Sequence, residues 1–412
     1  MLGDDSKHTM TATPTLACLP GTDLPRPDYA GGGIVNLMAS IIRARGGEAD
    51  YPSLDLLPPA TIAGHTNPLL WVRAGRGADC GGAPPRGGPP PRHCLGAIPS
   101  VFPPTTATAI TTFLTGDAPQ QHALTGWFTY LRELGCVMSI LPGNPRYGGV
   151  GYGQAGVDLG ALLNHRPIAS RLATRTLILT PDHIANSDFN RAHLGPAECR
   201  PYRGLTDGLR QAARALREDR APKYLYLYWP GLDSLGHEAG MTSPAAARHL
   251  AAIEQALTDF LVAIAGTDTL VLVTADHGQI DTRPADNIHL ADHPHLASCL
   301  ALPLCGEPRA AFCYLRPRWV NAFVDYCQEV LGDRISLHPS GELVELGLFG
   351  QGEPAPALEE RIGDYTLLTR GAWVLRDRLP SEKAYTQIGV HGGLSATELQ
   401  VPLCLIPPSM RH

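Results

Sequence analysis

The sequence predicts an α/β protein: a doubly wound, mostly parallel sheet sandwiched by helices, with a small α+β insert. Three observations carry that prediction. Short apolar runs rich in β-branched and aromatic residues, "TRTLILT" (residues 174–180), "KYLYLYW" (223–229) and "TLVLVTA" (269–275), read as central strands. Between the last two, "SPAAARHLAAIEQALTDFLVAIAG" (243–266) opens on a serine, holds apolar residues at helical spacing and closes on glycine. Strand, long helix and strand imply a parallel crossover. Residues 292–380 have another texture, short strands alternating around one helix.

In chain order, residues 1–30 are polar and proline-bearing and form an N-terminal surface segment. The expected core covers 31–291 and 381–412, with 292–380 as the insert. "GGGIVNLMASIIRARG" (31–46) has a helical pattern that stops at a glycine pair, and "LLWV" (69–72) reads as a buried strand. The following "RAGRGADCGGAPPRGGPPPRHC" (73–94) is too rich in Gly, Pro and Arg for regular structure. In "IPSVFPPTTATAITTFLTG" (98–116) an extended stretch turns into a helix that starts near Thr106. "LTDGLRQAARALRED" (205–219) supplies a helix just before its strand. Within the insert, "AAFCYLR" (310–316), "ELVELGLFG" (342–350) and "DYTLLTR" (364–370) read as short strands around the helix "RWVNAFVDYCQEVLG" (318–332).

Composition narrows the function. A chain of 412 residues with 44% hydrophobic and 17% charged residues can bury a large core, and its net charge of −6 argues against nucleic acid or an anionic membrane as partner. A small-molecule partner is expected instead. The ten cysteines include no C-x-x-C pair, which excludes a zinc ribbon or a dithiol redox motif. With no signal-peptide pattern and no stretch of about 18 apolar residues, the expected location is cytoplasmic.

Ligands of open parallel sheets gather at the carboxyl ends of strands, and there the chain places acids and imidazoles. Asp233 and His237 follow one strand in "YWPGLDSLGHEAG", Asp276 and His277 follow another in "ADHGQ", and His391 stands in "GVHGGLSATELQVP" after the insert. Each motif is weak singly: Asp-x-x-x-His is common by chance, "ADHG" also suits an Asx turn, and a lone loop histidine is ordinary. Together they supply five ligands, more than one tetrahedral site with an open position requires, and two divalent metals are implied. Such a pair, about 4 Å apart, neutralises the attacking and leaving oxygens of an in-line displacement at phosphorus. Thr106, at a helix start, is the candidate nucleophile because free backbone N–H groups there favour an anion. The plainer alternative is that Thr105 or Thr106 simply caps the helix. "DHPH" (292–295) and His93 look equally ligand-like and are read as loop residues.

In this order, Thr106 with "TATAITTFLTG", "YWPGLDSLGH", "TADHGQ" and "VHGGLSATELQVP" resemble the alkaline phosphatase superfamily, most closely its nucleotide pyrophosphatase/type I phosphodiesterase branch. The resemblance implies an alkaline phosphatase-like fold and a metal-dependent hydrolase of phosphodiester or pyrophosphate bonds. It further implies two divalent metal ions, zinc by family likeness although His/Asp sites also take manganese or iron, and a covalent phospho-threonine intermediate. Thr106 would be the nucleophile; Asp233, His237 and His391 would hold one ion, Asp276 and His277 the other. The substrate would be small and phosphorylated, such as a nucleotide-like diester. "VFPPTTA" lacks the C/S-x-P-x-R setting of sulfatases, which favours phosphorus over sulfur. One departure stands out: where the family has a metal-binding aspartate after its first strand, this chain has Ala74. Either that ligand is missing, or the run from Arg73 to about Arg92 is a stretch read in a shifted frame, with Asp79 able to substitute only in a rebuilt loop. The alternatives are a phosphate monoesterase or phosphonate hydrolase on the same fold, or a degenerate member that binds a phosphorylated ligand without turnover.

Overall fold

The computed structural model describes residues 16–20, 22–75, 93–380, 382 and 386–408. Most of the Gly/Pro/Arg run, Asp79 included, lies outside them. The main sheet consists of β1 (Asn67–Arg73), β2 (Cys94–Pro99), β3 (Arg175–Pro181), β4 (Glu198–Tyr202), β5 (Lys223–Trp229), β6 (Thr269–Thr274) and β7 (Gln400–Ile406), in the spatial order β2-β7-β6-β1-β5-β3-β4. β1 pairs in parallel with β5 and β6, and β3 with β4 and β5, whereas β7 is antiparallel to β6 and β2. The predicted α/β class with a mostly parallel sheet is therefore observed. β5 and β6 do not touch, however: the crossover between them spans β1.

Both faces of this sheet are buried, which explains why its strands read as unbroken apolar runs. In β5, Tyr224, Tyr226 and Tyr228 pack into one core cluster with residues of α1 (Ile34–Ala44) and α2 (Thr106–Thr115). Leu225 and Leu227 pack into the other, with α3 (Leu205–Glu218) and the later helix Pro244–Ala263. The alternation "YLYLY" is thus the two-residue period of a strand between two helical layers. β1 divides the same way, Leu70 and Val72 on one side, Leu69 and the fully buried Trp71 on the other. Ser243 caps Pro244–Ala263 by accepting from the Ala246 N–H at 3.1 Å, as its place in the sequence predicts.

A second, antiparallel sheet of seven strands runs in the order Ile335–Pro339, Tyr365–Thr369, Ala310–Cys313, Cys305–Glu307, Phe128–Leu131, Cys136–Ser139 and Asn144–Pro145. The helix Val320–Leu331 covers it with Phe323, Cys327 and Leu331. Three of its strands come from residues 128–145, far upstream of 292–380. One expected strand is absent: "ELVELGLFG" begins within the helix Ser340–Glu345, which buries Leu343. Over so short a run, Val344, Leu346 and Leu348 fit a period of 2 while Leu343 and Leu346 fit one of 3.6, so the pattern does not decide between them. Among the described residues no helix is long and apolar enough to cross a membrane.

Three histidines lie behind α2. His165 Nδ1 is 2.8 Å from His193 Nε2, His193 Nδ1 is 2.8 Å from the Phe189 carbonyl oxygen, and His122 Nε2 is 3.3 Å from Thr112 Oγ1. Burial pushes His165 down to about 3 and His193 to about 4, and holds His122 well below the usual imidazole range. Folded, they stay neutral at pH values where the unfolded chain already takes up protons, so stability is fully present above about pH 6.5 and declines as pH falls toward 4. We expect the thermal midpoint to drop between pH 7 and 5, each imidazole contributing up to about 1.4 kcal/mol per pH unit. The drop should be shallower in the His165→Gln/His193→Gln variant when melting curves are compared across that range.

Candidate metal centre and active site

The sheet topology puts every candidate side chain at one edge. The parallel strands β1, β5 and β6 end there, β2 leads there toward α2, and the antiparallel β7 starts there, so the segment before it, carrying His391, arrives at the same place. Asp233 and His237 lie on α4 (Gly231–Ala239), the helix that follows β5. Four residues apart, they share a helix face, and His237 Nε2 is 3.4 Å from Asp233 Oδ2.

His391 joins them, its Nε2 3.9 Å from Asp233 Oδ1. The ligand atoms of Asp233, His237 and His391 all lie within 4.8 Å of one another. His277 Nε2 lies 3.9 Å from Asp233 Oδ1 and 3.5 Å from Asp276 Oδ2, and its ring stacks on that of His391 with centroids 3.9 Å apart. Thr106 Oγ1 is 3.1 Å from the same His277 Nε2. All six candidate side chains therefore lie in one cluster.

Backbone carbonyls fix two of the imidazoles. His237 Nδ1 donates to the Gly389 carbonyl at 2.7 Å and His277 Nδ1 to that of Gly278 at 2.9 Å, which leaves each Nε2 lone pair pointing inward. The carboxylates are prepared differently. Burial works against the charge of Asp233, but His237, His277 and His391 outweigh it and hold the carboxyl well below the usual range. Burial raises Asp276, with His277 opposing. For His237 the proximity of Asp233 overcomes burial and raises the imidazole, while burial and neighbouring His277 keep His391 well below its usual value.

This donor set fits a divalent cation. Two imidazoles and one carboxylate converge at Asp233, His237 and His391, three ligands that leave a further position open. The second set is thinner. Asp276 Oδ1 accepts from the N–H groups of Gly75 (3.2 Å) and His277 (2.9 Å), but its Oδ2 is buried with no hydrogen-bond partner. An orphaned buried carboxylate oxygen is what a metal ligand looks like on its own. Gly75, at φ +79°, packs so tightly on Asp233 that a Cβ there would lie 2.7 Å from its Cα. Its neighbour Ala74 is fully buried and has no ligand atom to offer. Among the described residues, Asp276 and His277 thus have one candidate protein ligand fewer than the Asp233, His237 and His391 set.

At the start of α2, Thr105 occupies the N-cap position, yet no side chain caps the helix. The Thr105 hydroxyl donates to Glu307 Oε1 at 2.7 Å, so the first-turn N–H groups beside Thr106 have no side-chain partner at the cap. "DHPH" falls in short helical turns of the other subregion, His293 Nδ1 lying 2.8 Å from the Tyr326 hydroxyl.

Sequence reasoning missed three buried residues around the site. Gln279 donates from Nε2 to both Asp233 Oδ1 and the Asp233 carbonyl. Glu307, from the antiparallel sheet, is pushed up to about 7 by burial despite its hydrogen bonds and the nearby His277 and His237. Glu398 follows His391 and pairs with buried Arg309 at 2.7 Å, while accepting from the Gly393 N–H at 2.8 Å. Of these only Glu398 had a local signal, the S-x-x-E spacing from Ser395, whose hydroxyl accepts from the Glu398 N–H at 3.3 Å.

The sequence profile of the type I phosphodiesterase/nucleotide pyrophosphatase family matches residues 94–394. No curated protein matches the chain. Among solved structures, human ectonucleotide pyrophosphatase/phosphodiesterase 5 is similar with a TM-score of 0.61 and 14% identity, over 82% of this chain and 87% of that one. The inactive form of the murine protein, in complex with AMP, gives a TM-score of 0.59 at 14% identity, over 81% and 86%. At this identity the structural likeness speaks for the fold. The profile match begins where the Gly/Pro/Arg run ends and does not include β1.

Removing Asp233 with Asp233→Ala should abolish binding of Zn²⁺ or Mn²⁺ measured by isothermal titration calorimetry. Gln279→Ala, which only loosens the Asp233 carboxylate, should weaken it by roughly 10- to 100-fold.

Proposed function

The chain belongs to the type I phosphodiesterase/nucleotide pyrophosphatase family of hydrolases, and from that premise we propose that it cleaves a phosphodiester or pyrophosphate bond through a covalent phospho-threonine at Thr106. The observation that carries this reading is the convergence of Thr106 Oγ1 and the carboxylates of Asp276 and Asp233 on one nitrogen, His277 Nε2, at 3.1 to 3.9 Å.

Thr106 sits at the first turn of α2 with its hydroxyl within hydrogen-bond distance of His277 Nε2, a lone pair kept available by the Gly278 carbonyl on the other nitrogen. Because that nitrogen is also the one His277 would offer to a cation, the hydroxyl gives up its proton to solvent water as Oγ1 attacks, its acidity raised by the cation the site would hold. The N–H groups of the first turn attract the phosphoryl oxygens of the substrate and orient phosphorus for in-line attack by Oγ1. As the Oγ1–P bond forms, the bond to the leaving oxygen breaks, and that oxygen takes up a proton. Water then attacks the phospho-threonine, regenerating the Thr106 hydroxyl and releasing a phosphomonoester.

Asp233, His237 and His391 would hold one divalent cation, zinc in the reading we favour, and Asp276 with His277 a second. Bound there, such ions supply Lewis acidity toward the phosphoryl oxygens and lower the pKa of a coordinated hydroxyl. The substrate is a small phosphorylated molecule, a nucleotide-like diester being favoured by the AMP bound to the murine relative.

A second reading is favoured by Ala74: with only Asp276 and His277 among the described residues to hold it, the second cation binds weakly, and the chain binds a phosphorylated ligand with little turnover.

Thr106→Ala should lower hydrolysis of bis(p-nitrophenyl) phosphate by about 10³-fold or more while cation content stays unchanged. Normal turnover in that variant would remove Thr106 from the mechanism. Ala74→Asp should raise the bound cation, read by elemental analysis of purified protein, from about one to about two per chain and increase turnover. Unchanged stoichiometry with undiminished folding would mean that residue 74 does not address the second site.

A further inference from the structure

The antiparallel sheet reaches into the active site at one point. The strand Cys305–Glu307 ends in Glu307, and Pro308 and Arg309 turn the chain into Ala310–Cys313, with Glu307 paired to Ala310. The Glu307 side chain is nearly buried, and a single oxygen, Oε1, accepts two hydrogen bonds, from the Thr105 hydroxyl at 2.7 Å and from the Trp127 N–H at 2.7 Å. Thr105 precedes the nucleophile, and its carbonyl accepts the first bond of α2, from the Ala109 N–H at 2.8 Å. Glu307 therefore grips the residue from which α2 starts.

The surroundings are shaped for this grip. Gly126 and Gly306 approach so closely that a Cβ on Gly126 would lie 2.6 Å from the Gly306 Cα, which brings the Trp127 amide to the carboxylate. On the other side a Cβ on Gly392 would meet the Glu307 Cβ at 2.6 Å, so the stem of Glu307 lies against the segment that carries His391. The next side chain in the turn, Arg309, holds that same segment through Glu398. Glu307 is no member of the ligand cluster, which among the described residues comprises Asp233, His237 and His391. A buried carboxylate that grips the start of the nucleophile helix and packs on the His391 segment has positioning as its work.

We propose that Glu307 is a positioning residue: by holding Thr105 and the Trp127 amide on one oxygen, it sets Thr106 against His277 and the His391 segment. The inference rests on the phosphohydrolase reading for its kinetic consequence, not for its structural one.

The test has two arms. In the structural arm, hydrogen exchange read by mass spectrometry should show the Trp127 amide protected in the wild type and in Glu307→Gln, whose amide oxygen still accepts both bonds. It should exchange about tenfold faster or more in Glu307→Ala, together with the first turn of α2. This arm needs no turnover, so it stands if the wild type proves inactive and the phosphohydrolase reading fails. In the kinetic arm, with bis(p-nitrophenyl) phosphate, Glu307→Ala should lower kcat by roughly 10- to 100-fold with KM and cation content little changed, and Glu307→Gln should restore it to within a few-fold. Thr105→Val should lower kcat in the same direction, and the double variant with Glu307→Ala should be no worse than Glu307→Ala alone. Should Glu307→Ala fail to fold, Glu307→Gln and Thr105→Val still decide the question. Unaltered exchange in Glu307→Ala, independent multiplication of the two losses, wild-type kcat in Thr105→Val, or equal damage in Glu307→Gln and Glu307→Ala would each overturn the proposal.

Discussion

Two buried carboxylates share one imidazole nitrogen, and the rest of the site is arranged around that fact. Asp233 and Asp276 both lie within 4 Å of His277 Nε2, where water does little to separate their charges. A fold can keep such a pair only by surrounding it with compensating groups, and here they come from every strand that ends nearby. His237 and His391 flank Asp233, backbone N–H groups of Gly75 and His277 serve Asp276, and the Gln279 amide braces Asp233 from outside. The parallel sheet supplies the convergence at no extra cost, since the ends of its parallel strands point the same way.

Division of labour between the two sheets follows from their different construction. The main sheet, buried on both faces, fixes where Asp233, Asp276 and His277 emerge and packs its tyrosines on the flank of the nucleophile helix, but the carboxylate that grips the start of that helix is not on it. The antiparallel sheet, joined to the centre through the turn at Glu307, Pro308 and Arg309, takes over that task. Chemistry is held by one layer and aimed by the other. This explains why residues in a region of quite different texture are buried and charged: the Arg309–Glu398 ion pair would be an expensive way to stabilise a surface appendage.

What could be read from the sequence follows the same physics. The central strands were legible because burial on two faces leaves no polar positions to blur them, and the ligands because parallel strands present their chemistry immediately after they end. The helical setting of Asp233 and His237 was hidden by the glycines at 231 and 236, which argue for a turn in a linear reading. The segment 342–350 misled because its few apolar residues, Leu343, Val344, Leu346 and Leu348, supply matches to both periods. Glu307 was invisible for a deeper reason: nothing within ten residues of it identifies its partners, which are 180 and 202 positions away. The pairing of strands from 128–145 with strands from 305–369 is equally nonlocal, and short antiparallel strands carry no signature of whom they will meet.

The reversed direction of β7 has a consequence for the order of events during synthesis. Because the last strand of the sheet runs against its neighbours, the imidazole it delivers leaves the ribosome long after the other parts of the cage, and the strand's own pairing with β2 and β6 comes later still. A nascent chain that has emerged only as far as the middle of the antiparallel sheet already holds both acids and two imidazoles but lacks the third member of the Asp233 and His237 set. Closure of the sheet and completion of the cage therefore both wait for the segment that runs from His391 to Ile406.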